Sequence, residues 1–190
     1  GTVFSDYLKE YTQPFCFIDI GANQGLYSLI AGNNKNCLKV IAFEPVPDTA
    51  EILSKNIDAN NLGEKSEVHT KAISNKNSCY TIYVSSGHSG VANIDQVAKE
   101  NQSSQAVDIE TVDSTYLDKL TIPKGVNIII KVDVEGYEKV VIEQLMQADF
   151  LNNTSAIYYE YDTKIQDDMI TIEGLLKQNG FTTFFEVKDE

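Results

Sequence analysis

The sequence predicts an α/β domain built on a mostly parallel sheet with helices on both faces, and three observations carry that reading. Short β-branched or aromatic runs alternate with amphipathic stretches along the chain, the pattern of strands covered by helices. A glycine-bearing loop, Gly21 to Gly25, joins the first such run to the first helical stretch. The 190 residues suit a single domain spanning 1–190 with one core, and no repeat or low-complexity block interrupts them.

In chain order, strands are predicted at about Phe15–Ile20, Lys39–Phe43, Ser66–Thr70, Asn127–Val132 and Ala156–Tyr161. Helices are predicted at about Gln24–Ala31, Pro47–Asn60, Tyr137–Ala148 and Asp168–Asn179. Pro47 and the acidic residues after it suit the first turn of a helix, where N–H groups lack partners and the dipole is positive. Ile52, Leu53 and Ile57 are then the buried stripe, as are Val140, Val141, Leu145 and Ala148 in the later helix, while Gly180 is placed to end the last one. Residues Cys79 to Ile109 break the rhythm. Two alternating runs, Tyr80–Val84 and Ala106–Ile109, flank a turn-rich Ser85–Gly90, so an inserted hairpin-like element is predicted over about 79–110, where substrate specificity often resides.

Composition excludes several classes. The formal net charge is −13 and the chain contains no arginine, so it lacks the cationic surface that neutralises nucleic-acid phosphates. No apolar stretch approaches the roughly 18 residues that suggest a membrane span. The three cysteines, Cys16, Cys37 and Cys79, are widely spaced and read as small core residues, which fits a reducing, cytoplasmic setting. The opening Gly1-Thr2 lacks an initiating Met and a signal peptide, so the chain reads as a trimmed domain.

The chemistry is expected at the carboxyl ends of the strands, where open α/β sheets bind ligands. There Asp19-Ile20-Gly21-Ala22-Asn23-Gln24-Gly25 has the spacing D-x-G-x-x-x-G, not the G-x-G-x-x-G that rests a pyrophosphate on a helix N-terminus. Glu44, nineteen residues after Gly25, ends the second predicted strand, where a carboxylate can accept from both hydroxyls of an adenosine ribose. Asp19 can face an α-ammonium, directly or through water. Two carboxylates without a pyrophosphate cradle suit a sulfonium-bearing aminoacyl nucleoside better than a dinucleotide.

Past the fourth main strand, Lys131, Asp133 and Glu135 alternate by two and are predicted to project to one side, with Val132 and Val134 on the other. Asp133 then orients or deprotonates an acceptor hydroxyl, Lys131 tunes its charge, and Glu135 binds the acceptor; alternatively Lys131 forms an ion pair with one of these acids and Glu135-Gly136 shapes the next helix. Asp133, Glu135, Glu160 and Asp162 would suit Mg²⁺ or Ca²⁺ if they converged, but no metal is assigned. His88, in the turn of the insertion, is a candidate base or acceptor contact, and His69 a strand-edge residue. Tyr27, Tyr137, Tyr158, Tyr159 and Tyr161 could stack on a sugar ring, although most suit the core.

At these residues the sequence resembles the FkbM family of methyltransferases. FIDIGANQGLYSL and VIAFEPVPDTAEILSKNIDANN resemble its first two motifs, KAIS at Lys71–Ser74 the segment after the third strand, and IIKVDVEGYEKVVI at Ile129–Ile142 its signature block, with Glu160 at a further carboxylate position. The resemblance implies a class I methyltransferase (Rossmann-like) fold, S-adenosylmethionine as cofactor with S-adenosylhomocysteine as product, and methyl transfer to a hydroxyl of a sugar, glycan or secondary metabolite. The expected cofactor contacts are Asp19, Gly21, Ala22, Asn23, Gly25, Glu44, Pro45 and Ala72. Asp133, Lys131 and His88 are the expected catalytic residues, and Glu135 and Glu160 the acceptor contacts. An NAD-dependent oxidoreductase and a non-catalytic binding module that keeps the fold remain the alternatives.

Overall fold

The computed structural model describes residues 2–85, 104–160 and 166–187. Its main sheet joins β1 (Phe15–Ile20), β2 (Cys37–Phe43), β3 (Ser66–His69), β7 (Asn127–Val132) and β8 (Thr154–Tyr159) in the order β3-β2-β1-β7-β8, all parallel. The chain winds outward from β1 through β2 to β3, then returns to add β7 on the other side of β1. That reversal places the carboxyl ends of β1, β2 and β7 side by side, the position where doubly wound sheets open a crevice.

The five predicted main strands are present, with ends shifted by up to two residues. Period-two alternation sorts their side chains. Ile18, Ile20, Ile41, Phe43, Ile128, Ile130 and Val132 face one layer with Val141, Ile142 and Leu145 of α5 (Glu138–Leu145) and Ile172 and Leu176 of α6 (Gln166–Gln178). Phe15, Phe17, Val40 and Ile129 face the other, packing on α1 (Thr2–Glu10) and α2 (Leu26–Asn33). Ala42 meets Leu53 and Ile57 of α3 (Pro47–Ala59). Each fully buried Phe or Ile here contributes about 1.5–3 kcal/mol.

Several expectations change. Ile52 is exposed, because the inward face of α3 is Thr49, Ala50, Leu53 and Ile57, and Ile52 stands roughly 100° around the helix from Leu53. Val140 is half-buried, Ile142 taking the inward position. Cys16 and Cys37 are core residues whose thiols burial pushes up to about 12 and about 11, but Cys79 is exposed. The hairpin is present as β5 (Ser78–Ser85) antiparallel to β6 (Ser104–Val112), but it does not stand alone: β4 (Ala72–Ile73) pairs parallel with β6 to make a second, three-stranded sheet. A short α4 (Ser114–Leu117) follows, capped by the Asp113 side chain. No helix among the described residues is long and apolar enough to cross a membrane.

Helix α1 was not expected. Phe4 and Leu8, four residues apart, bury one side of it, and Phe4 stacks on Tyr158 at 4.3 Å. Its end is held by Asn34, whose Nδ2 donates to the carbonyls of Leu8 (2.8 Å), Tyr11 (2.9 Å) and Lys9 (3.2 Å), while Oδ1 accepts from Asn36 N. Asn34→Ala strands these carbonyls, and a buried unsatisfied acceptor costs about 1–3 kcal/mol. Urea denaturation should show a loss of about 2–3 kcal/mol for this variant; a loss under about 0.5 kcal/mol would show that Asn34 does not anchor α1.

Candidate active site

The loop after β1 takes its shape from three backbone choices. Gly21 and Gly25 have φ of +73° and +95°, and Asn23 between them has φ +51°, a conformation asparagine tolerates better than most residues. The amides of Gly21 and Ala22 both donate to the Phe43 carbonyl, at 3.0 and 2.9 Å, which draws the loop onto the end of β2. Gly21 is also forced by contact. A Cβ there would lie 1.9 Å from the Asp133 carbonyl oxygen, so the loop after β1 and the segment after β7 touch through their backbones.

Glu44 is buried at the end of β2, accepting from Asn23 N at 2.9 Å through Oε2 and from Val46 N at 3.0 Å through Oε1. Burial lifts its carboxyl above the usual carboxylate range, against the pull of these two amides and of Lys131. An ionised carboxylate offers about four lone-pair sites, so about two remain on Glu44 for a ligand's donors. Beside it, Asn23 Oδ1 is a buried acceptor with no partner among the described residues.

These groups line a cleft with about 790 Å³ of empty space, part of it open to solvent. From the predicted set, Gly21, Asn23, Glu44, Pro45, Ala72, Asp133 and Glu135 line it. Val46, Lys71 and Tyr137 add to the walls, and Ile82 and Ile109 close one side from the second sheet. At the Glu44 end the unfilled polar capacity is acceptor oxygen, with Asp133 and Glu135 adding carboxylates and Lys71 an ammonium elsewhere in the walls. The Glu44 end suits a ligand that presents hydrogen-bond donors.

Other predicted residues lie elsewhere. Asp19 is fully buried beneath the loop rather than lining the cleft; its Oδ2 accepts from Ser28 Oγ at 2.7 Å and its Oδ1 lies 3.5 Å from Lys131 Nζ. Ala22 and Gly25 also lie outside the lining: Ala22 packs with Leu53 and Ile57, and Gly25 opens α2, with room for a Cβ taken by Leu53. Lys131 and Asp133 turn to the same side, as alternation implies, and form the ion pair of the alternative reading, whereas Glu135 leaves the repeat. Lys131 is 3% exposed, with Nζ donating to the Gly21 carbonyl at 2.8 Å and 3.1 Å from Asp133 Oδ2. The alternation ends with β7, because Glu135 adopts φ +54°.

Asp133 and Glu160 end neighbouring strands with their carboxyls in hydrogen-bonding reach. Loss of solvation and the charge of Asp133 raise both Glu160 and Glu135 above the usual range. Glu160 and Glu135 are exposed, and only Glu135 of the two lines the cleft. No metal-binding group of His, Cys, Asp or Glu occurs among the described residues. His88, Tyr161 and Asp162 lie outside the described residues. His69 stacks on Phe43 at 4.7 Å and shares a 2.9 Å hydrogen bond with Tyr116. Tyr27 and Tyr158 pack on Phe4, whereas Tyr137 reaches the cleft and bonds Ser74 at 3.2 Å.

Two contributors escaped the sequence reading. Glu138, buried in the first turn of α5, accepts through Oε1 from the amides of Val134 (3.0 Å) and Gly136 (3.2 Å) and so fixes the cleft segment between them. Its spacing in E-G-x-E was the available signal. Ser28, in the first turn of α2, fastens Asp19.

Comparison with known proteins identifies the family and the fold. The methyltransferase FkbM domain matches residues 19–183. The chain belongs to the FkbM methyltransferase family. It is 24% identical over 188 residues to "Methyltransferase 1" of Beauveria bassiana (strain ARSEF 2860), covering 90% of this chain and 74% of that protein. Among solved structures, the precorrin-6y C5,15-methyltransferase of Geobacter metallireducens superposes with a TM-score of 0.51 at 14% identity, over 95% of this chain and 70% of that one. An O-methyltransferase family protein of Burkholderia thailandensis gives 0.52 at 10%, over 95% and 51%. These distant structures show the shared class I Rossmann-like methyltransferase fold.

The loop contacts predict unequal costs for two glycine substitutions. Gly21→Ala adds a collision with backbone, whereas Gly25→Ala meets Leu53 Cδ1 at 2.5 Å, the mobile end of a side chain. Both also carry the roughly 1–2 kcal/mol cost of a left-handed residue. Denaturant unfolding should therefore show Gly21→Ala losing at least about 2 kcal/mol more than Gly25→Ala, and equal losses would refute the β1–β7 contact as the tighter constraint.

Proposed function

We propose that this methyltransferase domain uses S-adenosylmethionine to methylate a hydroxyl oxygen of a neutral sugar, glycan or secondary metabolite. The observation that carries the cofactor reading is the pair of buried acceptors at one end of the cleft, Glu44 and Asn23 Oδ1, with capacity left for a ligand's donors. Glu44 holds both ribose hydroxyls with its spare lone pairs, Asn23 Oδ1 takes one further donor, and Pro45, Val46 and Ala72 supply apolar contact. When bound, the cofactor supplies a methyl carbon made electrophilic by the adjacent sulfonium. Asp19 acts from beneath, holding the loop through Ser28 and Lys131.

On the acceptor side, Asp133 orients the hydroxyl and takes its proton. Glu160, within hydrogen-bonding reach and with its carboxyl raised, stands where it can pass that proton to solvent. Glu135 offers a further acceptor for neighbouring hydroxyls, and Ile82 and Ile109 form an apolar wall against a ring face. Proton removal by a positioned carboxylate is worth roughly 10²–10⁴ in rate. The carboxylates of Asp133 and Glu135 and the net charge of −13 disfavour phosphate-bearing acceptors, nucleic acids among them.

Calorimetry should detect S-adenosylhomocysteine binding and no NAD binding, with Glu44→Ala weakening the former at least ten-fold. Binding of NAD alone would refute the cofactor reading. With a labelled methyl donor and a panel of hydroxyl acceptors, Asp133→Ala should lower turnover at least about 100-fold, and unchanged turnover would remove Asp133 from the reaction.

A further inference from the structure

Lys131 belongs to neither wall of the cleft, yet it holds both. Its Nζ donates to the carbonyl of Gly21 at 2.8 Å and stands 3.1 Å from Asp133 Oδ2 and 3.5 Å from Asp19 Oδ1, with the Tyr27 ring centroid 5.4 Å away. An ammonium has three N–H groups, and three oxygens from three different segments surround this one. The arrangement follows from the sheet: Asp19 and Lys131 are direct register partners on β1 and β7, so their side chains leave the same face side by side. Gly21 begins the turn that carries Asn23 against Glu44, and Asp133 begins the opposite wall.

We infer that Lys131 is a positioning residue that couples the two halves of the site, fixing the Gly21–Asn23 turn for the cofactor and holding Asp133 as the anion that accepts the hydroxyl proton. This rests on the function proposed above. The charged groups around Lys131 and Asp133 are carboxyls: Asp19, which pairs with Lys131, Glu135 and Glu160, which feel the charge of Asp133, and Glu138, which acts on those two. Lys131 is the cation in contact with this cluster, 3.1 Å from Asp133 and 3.5 Å from Asp19. Burial works against its charge, but Asp19 and Asp133 outweigh that effect and hold its ammonium above the usual lysine range.

Lys131→Met alone leaves Asp19 buried without a counter-charge, so the decisive variant pairs it with Asp19→Asn, which removes both members of the buried pair. Folding of the double variant is checked by circular dichroism and a cooperative melt. Coupling predicts that its dissociation constant for S-adenosylhomocysteine rises at least ten-fold and that the acidic limb of its kcat–pH profile moves to higher pH. The sign follows because the ammonium removed touches Asp133 at 3.1 Å, whereas the Asp19 carboxylate removed with it pairs with Lys131 and acts on Asp133 from farther off, so the loss of positive charge dominates. Lys131→Arg, which keeps the charge, should leave the limb in place. A folded double variant with affinity within two-fold of the unaltered protein, or with the limb unmoved, would overturn the inference and leave the proposed function standing. Failure of the unaltered protein to bind S-adenosylhomocysteine would overturn both.

Discussion

The backbone of Gly21 lies against the carbonyl of Asp133 with no space for a side chain between them, and the layout of the site depends on that contact. It exists because β1 and β7 are parallel neighbours that end level with one another, the Asp133 amide continuing the ladder by donating to the Ile20 carbonyl at 3.1 Å. Parallel strands deliver every loop that follows them to the same edge of the sheet. Here the loop after β1 is drawn one way onto β2 by Phe43 and the other way onto the segment after β7. The result is a turn fixed from both sides, with Glu44 and Asp133 on opposite flanks.

Such a site needs charge close to backbone, and that creates a burial problem that the surrounding residues resolve. Asp19 and Lys131 are both nearly inaccessible, and breaking a buried ion pair by removing one member costs about 3–5 kcal/mol. Ser28 bonds Asp19 Oδ2, and the Gly21 carbonyl and Asp133 take up the Lys131 ammonium. Glu138 plays the corresponding part after β7, where Glu135 and Gly136 both have positive φ and the free amides of Val134 and Gly136 find its carboxylate. A non-glycine residue with positive φ is uncommon, and its occurrence here matches the tendency of backbone strain to collect at functional sites.

Much of this was legible in the sequence. The main strands, the cofactor-side loop and Glu44 follow from periodicity and from the spacing of glycine and acid, because a strand buried on both faces and a turn that excludes Cβ restrict residue type strongly. Ile52 and Glu135 show where such reasoning stops. Each was assigned a direction from a repeat, and each repeat fails locally: the inward stripe of α3 is set by where the sheet lies, and alternation beyond β7 ends with the strand. Asp19 was read as a ligand contact because it stands near the end of the first strand, where ligands bind, but its register partner is a lysine 112 residues away in the chain, which local pattern does not reveal. Helix α1 and strand β4 were missed for a similar reason, since nine residues and two residues carry little periodic signal and owe their structure to Asn34 and to pairing with β6.

The central claim is that one cleft, bounded by Glu44 on one side and Asp133 on the other, holds the methyl donor. A crystal structure of the protein with S-adenosylhomocysteine tests it most directly. The account predicts ribose hydroxyls roughly 2.6–3.2 Å from the Glu44 carboxylate and the sulfur on the side of the cleft bounded by Asp133. A nucleoside bound away from Glu44, or one whose sulfur points away from Asp133, would contradict it.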